Sequence, residues 1–229
     1  MIEILPWDSE FFGFRIGRLR AESLTPALAS DAKQWCRAND VSCLYFLGEG
    51  EPTDGPEGFH VAEGFHVVDE RVTFRWDAQL VEEKPEAVRT FQPDDLEHLE
   101  AIARCSHRDT RFYHDPEFSR ERCDDLYATW IRRSCEGWAD AVFVAIDQGR
   151  PAGYLTCTGN SIGLVAVAEA ARGRGLGKQL VNAAQRHLYA SGAAYAEVVT
   201  QGRNQAARKL YSGRGFQVVN TKYWYHLHV

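Results

Sequence analysis

The run Arg172-Gly173-Arg174-Gly175-Leu176-Gly177 decides how this chain is read. It follows an apolar segment, Ile162 to Val167. It opens a stretch in which Leu176, Leu180, Val181, Ala184 and Leu188 recur at helical spacing, with Gly192 where a C-cap belongs. A strand, a glycine turn and a helix N-terminus in sequence form an anion site, because successive backbone N–H groups point one way and the helix dipole adds partial positive charge. Glycine lets the backbone approach a diphosphate with no Cβ between them. Two familiar phosphate loops do not fit. The glycines at 173, 175 and 177 alternate, unlike G-x-G-x-x-G, and Lys178 is followed by Gln179 rather than the Ser or Thr of a Walker loop.

Downstream, Ala194 to Thr200 reads as a buried strand. It is followed by Gly202-Arg203-Asn204-Gln205-Ala206-Ala207-Arg208-Lys209-Leu210-Tyr211, then by Gly215-Phe216-Gln217-Val218-Val219. Arg172, Gly175 and Gly177 spell R-x-x-G-x-G. Asn204, Ala207 and Tyr211 spell N-x-x-A-x-x-x-Y, with Gly215-Phe216 behind them. In order and spacing these resemble the two motifs of the GCN5-related N-acetyltransferase (GNAT) family.

That resemblance implies an α/β fold with a mixed central sheet and acetyl-CoA as co-substrate. The pyrophosphate is expected on the N–H groups of Arg172, Gly173, Arg174, Gly175, Leu176 and Gly177, with Lys178 beside them. The pantetheine arm is expected along the strand at 161–167, on the backbone of Val165, Ala166 and Val167, with Asn204 and Ala207 facing it. Asn204 is equally suited to capping a helix. Tyr211 takes the position of the family's general acid, which protonates the departing thiolate; a phenol pKa of about 10 is close enough to a thiol's ~8.5 for proton sharing. Many family members carry a Glu about ten residues before the loop, but here the stretch is Asn160-Ser161-Ile162-Gly163-Leu164. No direct general base is therefore expected; Asp69 and Glu70 read as water-facing turn residues and are weaker candidates.

The chain has 229 residues, is 45% hydrophobic and carries a net charge of −6, so it can bury a large core and offers no basic stripe for nucleic acid. No signal peptide or membrane-length apolar run is visible, and a cytoplasmic location is expected. Six cysteines occur without C-x-x-C spacing and read as free thiols. His107 and His114 share a loop and His226 and His228 alternate on a strand; neither pair has an evident third ligand, so no metal is expected.

The two halves echo each other. Gly64-Phe65-His66-Val67-Val68-Asp69-Glu70-Arg71 lines up with Gly215-Phe216-Gln217-Val218-Val219-Asn220-Thr221-Lys222, and each reads as the start of a hairpin preceded by a helix and a strand. The expected organisation is a truncated, degenerate GNAT-like domain over 1–78, a linker over 79–87, and a complete acetyltransferase domain over 88–229. The first half has no glycine loop; Glu49 to Gly58 is a Gly/Pro/acid-rich connector instead.

Three segments are similar, more narrowly, to those family members that acetylate nucleotide-linked amino sugars. They are Trp7-Asp8-Ser9-Glu10-Phe11-Phe12-Gly13, Arg111 to Ile131, and Arg172 to Tyr225. This implies the 4-amino group of a dTDP-linked 4-amino-4,6-dideoxy sugar as acceptor, and a homodimer. The loop with Arg108, Arg111, Phe112 and Tyr113 offers guanidinium groups for a diphosphate and rings for a base or sugar. Another small amine, a protein N-terminus, or a non-catalytic acyl-CoA-binding module remain as alternatives.

Overall fold

The computed structural model describes residues 1–49 and 64–229; most of the connector expected at 49–58 lies outside them. Within these described residues there are ten strands and seven α-helices, and the strands form one mixed sheet. They are β1 (Ile2–Ile4), β2 (Ile16–Leu19), β3 (Cys43–Glu49), β4 (Phe65–Asp77), β5 (Val88–Thr90), β6 (Ala141–Asp147), β7 (Arg150–Thr158), β8 (Ser161–Val167), β9 (Tyr195–Gln201) and β10 (Gln217–His228). Seven α-helices cover the sheet: α1 (Pro6–Phe12), α2 (Pro26–Ala38), α3 (Leu96–Cys105), α4 (Arg111–His114), α5 (Arg120–Arg133), α6 (Leu176–Ala190) and α7 (Gln205–Ser212). The strand order is β1-β2-β3-β10-β4-β9-β8-β7-β6-β5.

Local chemistry sets several of these boundaries. Thr25 caps α2 by accepting from Leu28 N–H at 3.2 Å, with Pro26 in the first turn. Ser119 caps α5 by accepting from Arg122 N–H. Gln148 and Gly149, both at positive φ, form the two-residue turn between β6 and β7. Gly192, at φ 81°, follows the end of α6.

Neither Gly-Phe segment is a hairpin, which corrects the sequence expectation. Each is one long strand, and the two pair antiparallel with each other. A two-residue hairpin turn needs positive φ, and none of Asp69, Glu70, Asn220 or Thr221 has it. The irregularities appear instead as register shifts, one of which leaves Val68 without a partner between Val67↔Tyr225 and Asp69↔Trp224.

Because of this pairing, the stretches 1–78 and 88–229 share one sheet. The last strand of the chain, β10, lies between β3 and β4, and β4 lies between β10 and β9. The order reads the same outward from the β10–β4 seam: each side has an antiparallel neighbour, then a parallel pair (β2–β3, β8–β9), then an antiparallel strand (β1, β7).

One face packs under α2 through Leu44, Phe46, Phe65 and Leu227, and under α6 through Phe74, Trp76, Leu180 and Val198. The other face packs under α1, α3 and α5, where Phe12, Ile16 and Tyr45 meet Leu99, Phe112 and Leu126. Trp7 and Trp130, with ring centroids 6.4 Å apart, tie the N-terminal helix to α5. No helix among the described residues is long and apolar enough to cross a membrane, and all six cysteines are unpaired.

Candidate active site

A parallel pair that fails to close makes the main cleft. β8 and β9 pair only at Ser161↔Glu197 and Ile162↔Val198. Immediately beyond, β8 carries a bulge: Gly163 and Leu164 together face Thr156 of β7. Thr156 Oγ1 accepts from Leu164 N–H at 2.9 Å, and a Cβ on Gly163 would stand 2.7 Å from that oxygen. The bulge turns β8 away from β9 and opens a cavity of about 640 Å³.

The glycine loop forms one end of this cavity. Gly173 and Gly175 lie at φ 78° and 81°, left-handed values that only glycine adopts without strain. Gly175 is the residue before α6 and no side chain caps the helix, so the first N–H groups of α6 remain available at the cleft. Arg172 is held by donating from Nε to Val167 O at 3.2 Å.

Of the expected cofactor residues, Val165, Ala166, Val167, Arg172, Gly173, Gly175, Leu176, Gly177, Asn204 and Ala207 all line the cavity, as does Tyr211. Arg174 and Lys178 do not. The Arg174 guanidinium instead pairs with Asp147 at 2.6 Å. Asn204 caps α7, its Oδ1 accepting from Ala207 N–H at 3.0 Å, while the residue also faces the cleft. Tyr211 comes from the opposite wall, its ring packed on Phe74 and Phe216. Burial pushes its phenol well above the ordinary value, so it stands protonated.

The loop expected to hold acceptor divides in two. Arg108 lines the same cavity as the glycine loop. Arg111 lies elsewhere, its guanidinium carbon 4.1 Å from the Tyr45 ring and 4.0 Å from the Trp224 ring. Phe112 and Tyr113 are buried, which removes them as open stacking surfaces. Phe112 packs on Phe12 and Phe118, and the Tyr113 hydroxyl donates to Asp124 at 2.5 Å. An amphipathic loop with three apolar rings satisfies the core before it can serve a ligand.

Asp69 is a second correction. It is not a water-facing turn residue but a strand residue only 3% exposed. Its Oδ1 has no hydrogen-bond partner, and the nearest cation, Arg203 Nη2, is 3.8 Å away. Burial pushes the carboxyl up to about 7, against the opposing pull of Arg203 and Arg111. The Val68 bulge decides which face Asp69 occupies, and sequence alternation alone could not show it. Glu70 lies against Gly202, whose N–H donates to Glu70 O.

The histidine reading also changes. His226 and His228 do have further donors nearby: Asp115 Oδ2 is 2.5 Å from His226 Nδ1 and 2.8 Å from His228 Nε2, and Cys43 Sγ is 4.0 Å from His228 Nε2. Burial raises the Asp115 carboxyl, but the two imidazole hydrogen bonds outweigh it and hold the group well below the usual carboxylate range. Burial brings His226 down to about 3. The missing ligands were invisible in sequence because they lie more than 100 residues away.

The sequence profile of the acetyltransferase (GNAT) family matches residues 97–216, over half of the chain. Among curated proteins, the chain is 29% identical to a dTDP-fucosamine acetyltransferase of Escherichia coli O6:H1, over 97% of this chain and 96% of that protein. It is 27% identical to the spore coat polysaccharide biosynthesis protein SpsD of Bacillus subtilis, over 59% of this chain and 48% of that one. Among solved structures, a GCN5-related N-acetyltransferase from Sphaerobacter thermophilus superposes with a TM-score of 0.62 at 19% identity, covering 99% of this chain and 76% of the other. A tandem GNAT protein from the clavulanic acid biosynthesis pathway superposes with a TM-score of 0.57 at 18% identity, covering 94% and 76%. The two structural likenesses speak to the fold alone. With the family profile lying across the glycine loop, the split strands and Tyr211, the chain belongs to the acetyltransferase (GNAT) family and is an acetyl-CoA-dependent N-acetyltransferase.

Proposed function

We propose that this enzyme transfers acetyl from acetyl-CoA to the amine of a nucleotide-linked amino sugar, with the 4-amino group of a dTDP-linked 4-amino-4,6-dideoxy sugar as the leading acceptor. The observation that carries the cofactor side is the uncapped N-terminus of α6 opening onto the gap between β8 and β9. Those N–H groups suit a pyrophosphate, and the unpaired edge of β8 suits the amides of the pantetheine arm. Gly173, Gly175 and Gly177 keep the approach clear, and Val165 to Val167 supply backbone donors for the acyl oxygen.

Acetyl-CoA supplies an acyl group activated as a thioester. The acceptor amine forms the new C–N bond, and the C–S bond breaks. Tyr211, kept protonated by burial, donates to the leaving sulfur; the same burial makes it a weaker acid than a free phenol, so its proton moves late, as the C–S bond breaks. The amine sheds one proton, and Asp69 takes it. Asp69 does not line the cleft, so this role rests on a buried carboxyl pushed up to about 7, and the base-free route expected from the sequence stands beside it.

The acceptor side rests on the near-full-length likeness to the dTDP-fucosamine acetyltransferase and on Arg111, presented between Tyr45 and Trp224. A guanidinium flanked by rings fits a diphosphate beside a base or sugar. A homodimer and a cytoplasmic location belong to the same proposal, and light scattering checks the first.

The test is mass spectrometry of dTDP-4-amino-4,6-dideoxygalactose incubated with enzyme and acetyl-CoA. One acetyl mass gain is expected with the wild type, and strongly slowed gain with Tyr211→Phe at nearly unchanged acetyl-CoA affinity. No gain, alongside turnover of another amino sugar, would move the acceptor and leave the cleft assignment in place.

A further inference from the structure

We propose that Cys43, Asp115, His226 and His228 form a four-ligand site for a zinc-class divalent cation, outside the acetyl-transfer cleft. None of the four lines that cleft. Their ligand atoms all lie within 4.8 Å of one another, and three of the four residues are buried. The sheet register assembles them. Cys43 and His228 are cross-strand partners on β3 and β10, and His226 sits two residues earlier on the same face of β10. Asp115, just after α4, brings a fully buried side chain over them.

The chemistry of the set points to a borderline cation. One thiol, one carboxylate and two imidazoles supply S, O, N and N donors, the types zinc takes in closed tetrahedral sites. Asp115 Oδ2 faces His226 Nδ1 at 2.5 Å and His228 Nε2 at 2.8 Å, with His66 Nε2 at 3.9 Å. Cys43 Sγ closes the remaining side, 4.0 Å from His228 Nε2. Hydrogen bonding accounts for the two short contacts, and Cys43, packed in the core, adds a thiol on the fourth side.

Bond lengths of about 2.0–2.3 Å place tetrahedral zinc ligands about 3.3–3.8 Å apart. The separations here bracket that range, so the carboxylate must withdraw by roughly 1 Å or less. Its other oxygen is steadied by Glu117 N–H at 3.1 Å. The His228 side chain is 23% exposed and that of His66 42%, which gives the cation a way in.

Binding is written as one exchange: the cation takes the place of the Cys43 thiol proton, which leaves to solvent, and each neutral imidazole moves its proton from the nitrogen that faces Asp115 to its other ring nitrogen. It has a cost on the far side. His226 Nε2 is 3.3 Å from Arg111 Nη1, and with Nδ1 on the metal that nitrogen takes up the ring proton and gives up accepting from Arg111. The ion and this hydrogen bond therefore exclude each other. With four protein ligands the site has no open position, and its role is to pin β3, β10 and the segment after α4 together across the two halves of the chain.

The experiment uses full-length, tag-free protein, stripped with chelator and titrated with Co²⁺. Expected are the visible absorption of tetrahedral cobalt and a near-ultraviolet thiolate-to-cobalt band, both saturating at one equivalent and displaced by one equivalent of Zn²⁺. Cys43→Ser should lose the near-ultraviolet band with its circular dichroism unchanged. His228→Ala, altered at the most exposed ligand, should bind at least about tenfold more weakly and lose the rise in Tm that Zn²⁺ gives the wild type. Wild-type protein with no stoichiometric metal by elemental analysis and no thiolate band would overturn the proposal. So would a cobalt spectrum that both variants leave unchanged. The cluster would then be a hydrogen-bonded network that holds Arg111 in place.

Discussion

Both halves of the chain set a parallel strand pair beside a helix on the same face of the sheet, yet only one of them opens. β2 and β3 pair at four successive positions, Ile16↔Cys43 through Leu19↔Phe46. β8 and β9 pair at two and then separate at the Gly163–Leu164 bulge. The helices differ in the same sense. The Thr25 side chain takes up the Leu28 N–H in the first turn of α2, whereas α6 begins after Gly175 with no side chain capping its first N–H groups. A related strand-and-helix arrangement thus becomes scaffold when its backbone groups are satisfied internally. It opens into a cleft when a bulge and an uncapped helix leave them free.

The comparison breaks most severely at the loop. Gly175→Glu puts a strained side chain and a negative charge at the α6 N-terminus, and acetyl-CoA affinity should fall at least about 100-fold by calorimetry. Retained binding would remove the cofactor from this cleft. Asp69→Asn should lower kcat about 100-fold. In the wild type kcat/KM should rise as Asp69 ionises near pH 7, and in the variant that rise should vanish. Stability should move the other way. Folding raises this carboxyl's pKa, so the folded protein binds the extra proton and loses stability as pH climbs from about 4 to about 7. Above that window Asp69→Asn should therefore raise Tm, by roughly 2–4 °C. A variant that is slower but less stable would argue that Asp69 serves packing instead.

Two smaller changes sharpen the contrast between the halves. Gly163→Ala drives a methyl into the Thr156 hydroxyl and should disturb the bulge, raising the KM for acetyl-CoA about tenfold, with little change in acceptor KM. Thr25→Ala removes the cap on the closed side. It should cost about 1 kcal/mol in denaturant unfolding and leave the KM for acetyl-CoA where it was. If it altered cofactor kinetics, the two parallel pairs would be coupled, and the first half would be more than scaffold.

Within the candidate site, the parts visible in sequence are those made by residues close together in the chain. Positive-φ glycines at 173 and 175, the missing cap before α6 and the helix carrying Asn204 and Tyr211 each follow from a handful of neighbours. Phe112 and Tyr113 are ambiguous in sequence because their residue types suit a ligand and a core equally, and only burial separates the two. The burial of Asp69 is hidden from the sequence because one unpaired residue, Val68, shifts the alternation of β4 by a position and reverses the faces beyond it.

By itself, the sequence determined the family and most of the order of helices and strands, and it singled out the glycine loop and Tyr211 as candidates, since each is encoded in local spacing and turn chemistry. The tertiary structure decided the rest. It alone interleaves β4 and β10 so that the halves share one sheet, buries Asp69, stacks Arg111 between Tyr45 and Trp224, and gathers Cys43, Asp115, His226 and His228. These depend on strand register between segments more than 100 residues apart. Register is set by which side chains pack on each face of the whole sheet, a property that no single stretch of the chain contains.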